Sequence, residues 1–176
     1  MFRISELARK FGLSRSTLLY YDHIGLLTPS RRSEAGYRIY TQNDRDRLAT
    51  ICGFRQAGLT PKDIDLLEVH DATTFGEIYQ TAQAGFCKPE HAGVYCSSGA
   101  TSLGGELPTN VSGGLISRGH PVGCTGLAQV YELATQLRGR AGQRQVKGAK
   151  IAMHINGGGV IGVEEASLGI DILEKA

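Results

Sequence analysis

The pattern of this chain changes inside the segment Ala57-Gly58-Leu59-Thr60-Pro61-Lys62-Asp63-Ile64-Asp65. Before it, short helical patterns are interrupted by basic residues. After it, an apolar strand, Leu66-Leu67-Glu68-Val69-His70, opens a stretch rich in glycine loops. The change takes one helix cap and one turn: Gly58 suits the left-handed cap and Pro61 the turn that follows. No Gly/Ser-rich linker intervenes, so the chain reads as two patterns spliced directly rather than two domains tethered for independent motion. A length of 176 residues accommodates two small domains, divided here as 1–60 and 61–176. Charge divides at the same place. Residues 1–60 hold ten Lys and Arg against five Asp and Glu, whereas residues 61–176 hold nine against twelve. The first block suits a polyanion, and the second shows no such bias.

Within the first block, Ser5 is placed to cap a short helix through about Lys10. Gly12-Leu13 turns the chain, and Ser14 caps a second helix from Arg15 to about His23, ended by Gly25. Leu7, Ala8, Leu13, Leu18, Leu19, Leu26 and Leu27 supply a small core. Two short helices about a glycine-bearing turn form a helix-turn-helix pattern. The segment from Pro29 to Tyr40 is basic, interleaved with aromatics, and turns at Gly36 like a short hairpin. Thr41-Gln42-Asn43-Asp44 then makes a capping-box start for a helix to about Ala57, with Leu48, Ile51 and Cys52 on one face.

This block closely resembles the MerR family of transcriptional regulators. The resemblance rests on Ile4-Ser5-Glu6-Leu7-Ala8, Leu13-Ser14-Arg15-Ser16-Thr17-Leu18, Tyr20-Tyr21-Asp22, Gly25-Leu26-Leu27, Gly36-Tyr37-Arg38-Ile39-Tyr40 and Arg47-Leu48. It implies a winged helix-turn-helix that binds double-stranded DNA. Arg15, Ser16, Thr17, Tyr20 and Tyr21 would lie on or near the recognition helix, and Arg32, Tyr37 and Arg38 on a wing gripping phosphates. Leu19 departs from the commonest family pattern, which has arginine there. The long dimerising helix that such regulators place next, and their cysteine-bearing effector tail, do not follow here.

In the second block four segments stand out: Glu68-Val69-His70-Asp71-Ala72, Asn110-Val111-Ser112-Gly113-Gly114, Gly119-His120-Pro121-Val122-Gly123-Cys124-Thr125-Gly126, and His154-Ile155-Asn156-Gly157-Gly158-Gly159. Glycine-rich loops let backbone N–H groups approach a ligand closely. Pro121 holds His120 out of helical geometry, just before a helix that starts near Thr125. Leu127, Val130, Tyr131, Ala134 and Leu137 form one face of that helix, and Arg138-Gly139 ends it. A histidine there suits a general base, an oxyanion donor or a purely structural role.

The order of these segments resembles the C-terminal domain of thiolases, most closely the sterol-carrier and lipid-transfer branch, from about Gly58 to Leu173. The resemblance implies acyl transfer to or from coenzyme A, or Claisen-type bond making. His120 would activate a nucleophilic cysteine and help form an oxyanion hole. His70 would hold a water in that hole, and the loop at Asn156 to Gly158 would bring backbone N–H groups to a second oxyanion. Two departures stand against activity: Ala72 occupies a position where the branch often has cysteine, and His154-Ile155-Asn156 stand where other thiolases have one. The family's nucleophile lies in an N-terminal half that this sequence does not contain. Cys52, Cys87, Cys96 and Cys124 form no metal-binding pair and read as free, packed thiols.

The fold expected is therefore α/β: a small winged helix-turn-helix followed by a thiolase-like half with a mixed sheet and helices on its faces. The function expected is DNA binding by a MerR-like module fused to a thiolase half that is not catalytically competent alone. Two alternatives stay open, an acyltransferase or lyase subunit completed by a separate N-terminal half, and a non-functional fusion. No cofactor or metal is expected, with a coenzyme A thioester as the substrate if catalysis occurs. The partners expected are DNA and either a second copy or a separate thiolase half. No apolar run approaches a membrane span and Met1 to Glu6 has no signal-like apolar core, which makes the cytoplasm the default location.

Overall fold

The computed structural model describes residues 1–161 and 164–176. It divides into two compact units, Met1–Cys52 and Gly53–Ala176.

The first unit opens with β1 (Phe2–Arg3), α1 (Ile4–Lys10) and α2 (Arg15–His23), then β2 (Arg31–Arg32), β3 (Arg38–Tyr40) and the start of α3 (Gln42–Ala57). Its three strands are antiparallel in the order β1-β3-β2, with Phe2 opposite Tyr40 and Arg32 opposite Arg38. Leu7 and Ala8 of α1, Leu18 and Tyr21 of α2, Tyr40 of β3 and Leu48 of α3 close one core with Leu27. Helix α1 begins earlier than Ser5 predicts. The Arg3 N–H donates to the Glu6 carboxylate at 2.7 Å, so a charge-assisted bond starts the helix at Ile4 and leaves Ser5 inside its first turn. Helix α2 starts as predicted, with the Thr17 N–H donating to Ser14 Oγ at 3.0 Å.

The start of α3 is a reciprocal cap. The Thr41 N–H donates to Asp44 Oδ2 at 2.7 Å and the Asp44 N–H donates to Thr41 Oγ1 at 3.3 Å. Its end follows the expected cap as well. Gly58 takes φ +68°, and the Leu59 N–H reaches back to the Phe54 carbonyl at 2.9 Å, closing the Schellman turn. Thr60 and Asp63 then cap the short turn at Pro61.

The second unit contains β4 (Leu66–Val69), α4 (Thr74–Gln83), α5 (Ala92–Ser97), α6 (Gly114–Arg118), α7 (Thr125–Leu137), β5 (Ile151–Ile161) and β6 (Glu164–Glu174). The sheet is mixed: β4 pairs parallel with β5, and β5 antiparallel with β6. Alternation along each strand gives the sheet two different faces. One carries Leu67, Val69, Met153 and Ile155 into a core with Phe54, Ile64, Ala84 and Leu107. The other is covered by α7, which packs against all three strands. This face is laid out in rows set by the register. Leu66, Ala152 and Leu173 form an apolar row under Leu133 and Leu137. Glu68, His154 and Asp171 form the next.

That second row explains why α7 does not bury the face its periodicity predicts. Leu127 and Tyr131 are 73% and 71% exposed, while Thr125, Gln129, Glu132, Leu133, Gln136 and Leu137 point inward. The sheet beneath is partly polar, and the inward Glu132 and Gln136 of α7 tie down the loop after the helix. The Val146 N–H donates to Gln136 Oε1 at 2.8 Å, Gln136 Nε2 donates to the Arg144 carbonyl at 2.8 Å, and the Arg144 guanidinium grips Glu132 through two bonds of 3.0 Å.

Candidate functional site

In the second unit three predicted residues converge at the C-terminal end of β4. His70 follows the strand directly, and its Nδ1 lies 3.0 Å from Asn156 Oδ1 on β5. The His120 ring stands edge-on to the His70 ring, with centroids 4.9 Å apart and planes at 86°. Each residue is fixed by its own support. The buried Gln80 side chain of α4 clamps the His70 peptide from both sides, accepting from its N–H at 2.9 Å and donating to its carbonyl at 3.0 Å. His120 Nδ1 lies 2.7 Å from the Thr125 hydroxyl, which itself donates to the Pro121 carbonyl at 3.3 Å. With the hydroxyl hydrogen on Pro121, the oxygen accepts from His120 Nδ1–H and leaves the Nε2 lone pair free. A hydrogen on His70 Nδ1 is likewise the one that Asn156 Oδ1 can accept. Gly126 packs close beside them: a Cβ there would stand 3.1 Å from Asn156 Nδ2 and press on that side chain.

Asp71 was quoted in the sequence only as a neighbour of His70, yet it anchors the site. Its buried carboxylate accepts the Leu115 N–H of α6 at 2.7 Å, and Gly114, at φ +58°, leaves room for it where any Cβ would collide. The other side of the loop is tied by Asn110, whose Oδ1 accepts the Val69 N–H at 2.8 Å. The signal for both was available in Asn110 to Gly114, a segment whose glycines mark close approach.

Asn156 to Gly158 do not form a loop. They lie within β5, in register with Gly169, Leu168 and Ser167 of β6. The antiparallel partner extends the strand through the glycines, while pairing with β4 stops at Ile155. Gly158 is exposed, with open space where a Cβ would be. The side-chain surroundings of Gly159 fall outside the described residues.

The cysteines are poor nucleophiles where their acidity is resolved. Burial, with Glu77 and Cys87 nearby, pushes the Cys96 thiol up to about 11, and burial raises Cys87 as well. Cys124 is exposed at the N-cap of α7. Among the described residues no group of three His, Cys, Asp or Glu is arranged to hold a metal ion. No described helix is long and apolar enough to cross a membrane.

In the first unit the predicted residues separate into exposed and structural sets. Arg15, Ser16 and Tyr20 lie on the solvent face of α2, together with Leu19 and His23. Thr17 is half-buried in the cap, its hydroxyl 2.8 Å from Ser14 Oγ. Tyr21 is buried in the core and packs there. On the wing Tyr37 projects into solvent, but Arg38 Nε is bound to Asp22 at 2.6 Å, with Arg32 3.8 Å from the same carboxylate. Asp22 therefore pins the wing to the end of α2. A cleft of about 800 Å³ lies between the N-terminal segment, Arg15 and Leu19 of α2, and Gly36–Ile39.

Residues 41–168 match the family model described as thiolase C-terminal domain-like. The chain belongs to this family. Ahead of the thiolase-like part, residues 2–68 match the model of the MerR HTH family regulatory protein, so the chain is a fusion of the two kinds of sequence. The two matches overlap over residues 41–68, which contain α3, the Gly58–Pro61 turn and the first three residues of β4. The chain is 49% identical over 125 residues to an acetyl-CoA acetyltransferase of Methanothermobacter thermautotrophicus, covering 71% of this chain and 33% of that protein. It is 46% identical over 157 residues to sterol carrier protein 2 of Homo sapiens, covering 87% of this chain and 29% of the relative. The chain thus spans about a third of the length of the curated relatives it matches. Among solved structures, the Ltp2-ChsH2(DUF35) aldolase shares the fold at a TM-score of 0.58 and 24% identity, over 63% of this chain and 28% of that one.

Proposed function

We propose that residues 1–60 bind double-stranded DNA. The observation that carries this reading is the single solvent face of α2. Arg15, Ser16 and Tyr20 are exposed on it while Leu18 and Tyr21 fill the core behind. The match to a regulatory helix-turn-helix family and the basic balance of the segment support the same reading. Arg15 supplies charge to the duplex. Arg38 acts through Asp22, holding the wing in place. Gel shifts across a salt series test it. Arg15→Ala is expected to weaken binding and to reduce the slope of log K against log salt by about one unit, one phosphate contact. Absence of any shift at low salt would refute the reading.

A second reading is favoured by the His70–His120 contact. Residues 61–176 then provide the histidine side of an acyl-coenzyme A site, and the nucleophile comes from outside that segment. His120 Nε2 takes the proton of the attacking thiol. His70, held through Nδ1 by Asn156, holds a water through Nε2 in this reading. The bond between acyl carbon and coenzyme A sulfur breaks only after a tetrahedral species forms, and that requires a nucleophile. The chain alone is therefore expected to release no burst of coenzyme A from acetyl-coenzyme A. With a separate thiolase N-terminal half added, release is expected, and His120→Ala should abolish it. An acetyl mass shift on Cys96 or Cys124 of the chain alone, lost in His120→Ala, would overturn the view that the nucleophile comes from elsewhere.

A further inference from the structure

We infer that Leu19 is a base-reading residue that selects thymine, an assignment that rests on the DNA-binding reading above. The exposed residues of α2 are Arg15, Ser16, Leu19, Tyr20 and His23, a stripe at spacings of one, three and four along one helical face. Four of these five carry donors or acceptors. Leu19 does not, and it is 40% exposed at the centre of the stripe. It also lines the cleft with Arg15 on one side and Tyr37 and Arg38 of the wing on the other. A duplex held by Arg15 and the wing therefore passes over Leu19.

The chemistry of the groove limits what Leu19 can meet. Most of the major-groove edge consists of hydrogen-bond donors and acceptors, and covering one with an aliphatic side chain strands it without a partner. Phosphate oxygens are worse, because their hydration is lost with nothing in return. The apolar feature of the base edges is the C5-methyl of thymine. A branched aliphatic side chain over that methyl buries both from water, and over any other base edge it removes water from a polar atom. An arginine at this position would instead present two donors, the match for guanine O6 and N7. Leucine here changes the base that is read, and leaves the grip on the backbone to Arg15 and the wing.

The test uses the full chain. A site is selected from a random duplex library. Each thymidine in it is then replaced singly by deoxyuridine, which removes the methyl and nothing else. At one or more positions the wild type is expected to bind about fourfold more weakly, the worth of one buried methyl group. Leu19→Ala should bind thymidine and deoxyuridine duplexes alike at that position. Leu19→Arg should select guanine there. Circular dichroism on both variants confirms that the exposed substitution leaves the fold intact. Equal binding of thymidine and deoxyuridine by the wild type at every position overturns the assignment, as does an unchanged methyl dependence in Leu19→Ala. Failure of the chain to retain any duplex overturns the DNA-binding reading itself, and Leu19 with it.

Discussion

Glu68 is the residue whose surroundings differ most from those its charge prefers. It sits fully buried on β4, in register with His154, and burial pushes its carboxyl up to about 7 despite the bonds from the Ser112 hydroxyl at 2.7 Å and backbone N–H at 3.2 Å. A raised folded-state value means that the folded chain holds the Glu68 proton more tightly than the unfolded chain does. The stability from this proton is complete below about 4.5 and is lost as pH rises from there to about 7. The full swing is at most about 3 kcal/mol. Glu68→Gln keeps an acceptor for Ser112 without the ionisation. Denaturant titrations at several pH values should show the variant gaining on the wild type by up to that amount between pH 5 and 8. A constant difference across that range would show that Glu68 is not the titrating group.

At the scale of elements, what the sequence made legible was local. Ser14, the Thr41–Asp44 pair and Gly58 each cap a helix using bonds that close within five residues, and each stands where the reading of the chain puts it. The mixed sheet is expected from the resemblance to thiolases, whereas the contact of His70 with His120 has no local signal and appears only once both loops are placed. Helix α7 was misread because its surroundings come from far away. The residues that make its covered face polar, Glu68 and His154, lie 86 positions apart on separate strands, and periodicity counts only a helix's own residues. Asn156–Gly158 were misread for the same reason. Their glycines signal a loop locally, and only the distant strand β6 makes them a strand. Asp22 carries no signal as an organiser until Arg38 is placed beside it, whereas the partner of Asp71 is marked only by the glycines of Asn110–Gly114, far along the chain.

For the molecule as a whole, the exposed side of the second unit is its least settled surface. Leu127, Tyr131, Ile116 and Val122 are all exposed, and Val122 reaches 88%. Leu127 and Tyr131 lie one turn apart on α7, and large apolar groups exposed on one face of a helix favour association. The chain is therefore expected to scatter light as a dimer or larger species at micromolar concentration. Replacing Leu127 and Tyr131 with lysine should shift it toward monomer while leaving its far-ultraviolet circular dichroism unchanged. A monodisperse wild-type monomer that binds no hydrophobic dye would contradict this.

Helix α3 begins in one compact unit and ends in the other, with Leu48 committed to the first core and Phe54 to the second. Leu48, Ile51 and Cys52 all pack on the first core. Adding one residue after Thr50 rotates Ile51 and Cys52 by about 100° against Leu48. Both must then leave that core, at a cost on the order of 2 kcal/mol for buried apolar groups. Loops commonly absorb insertions at little cost, and the wing turn at Ser33–Gly36 is such a place. An alanine inserted after Thr50 should thus lower the melting temperature sharply, while one inserted after Glu34 should not. A helix packed on a core carries a phase as well as a length, and the reading frame alone does not preserve it.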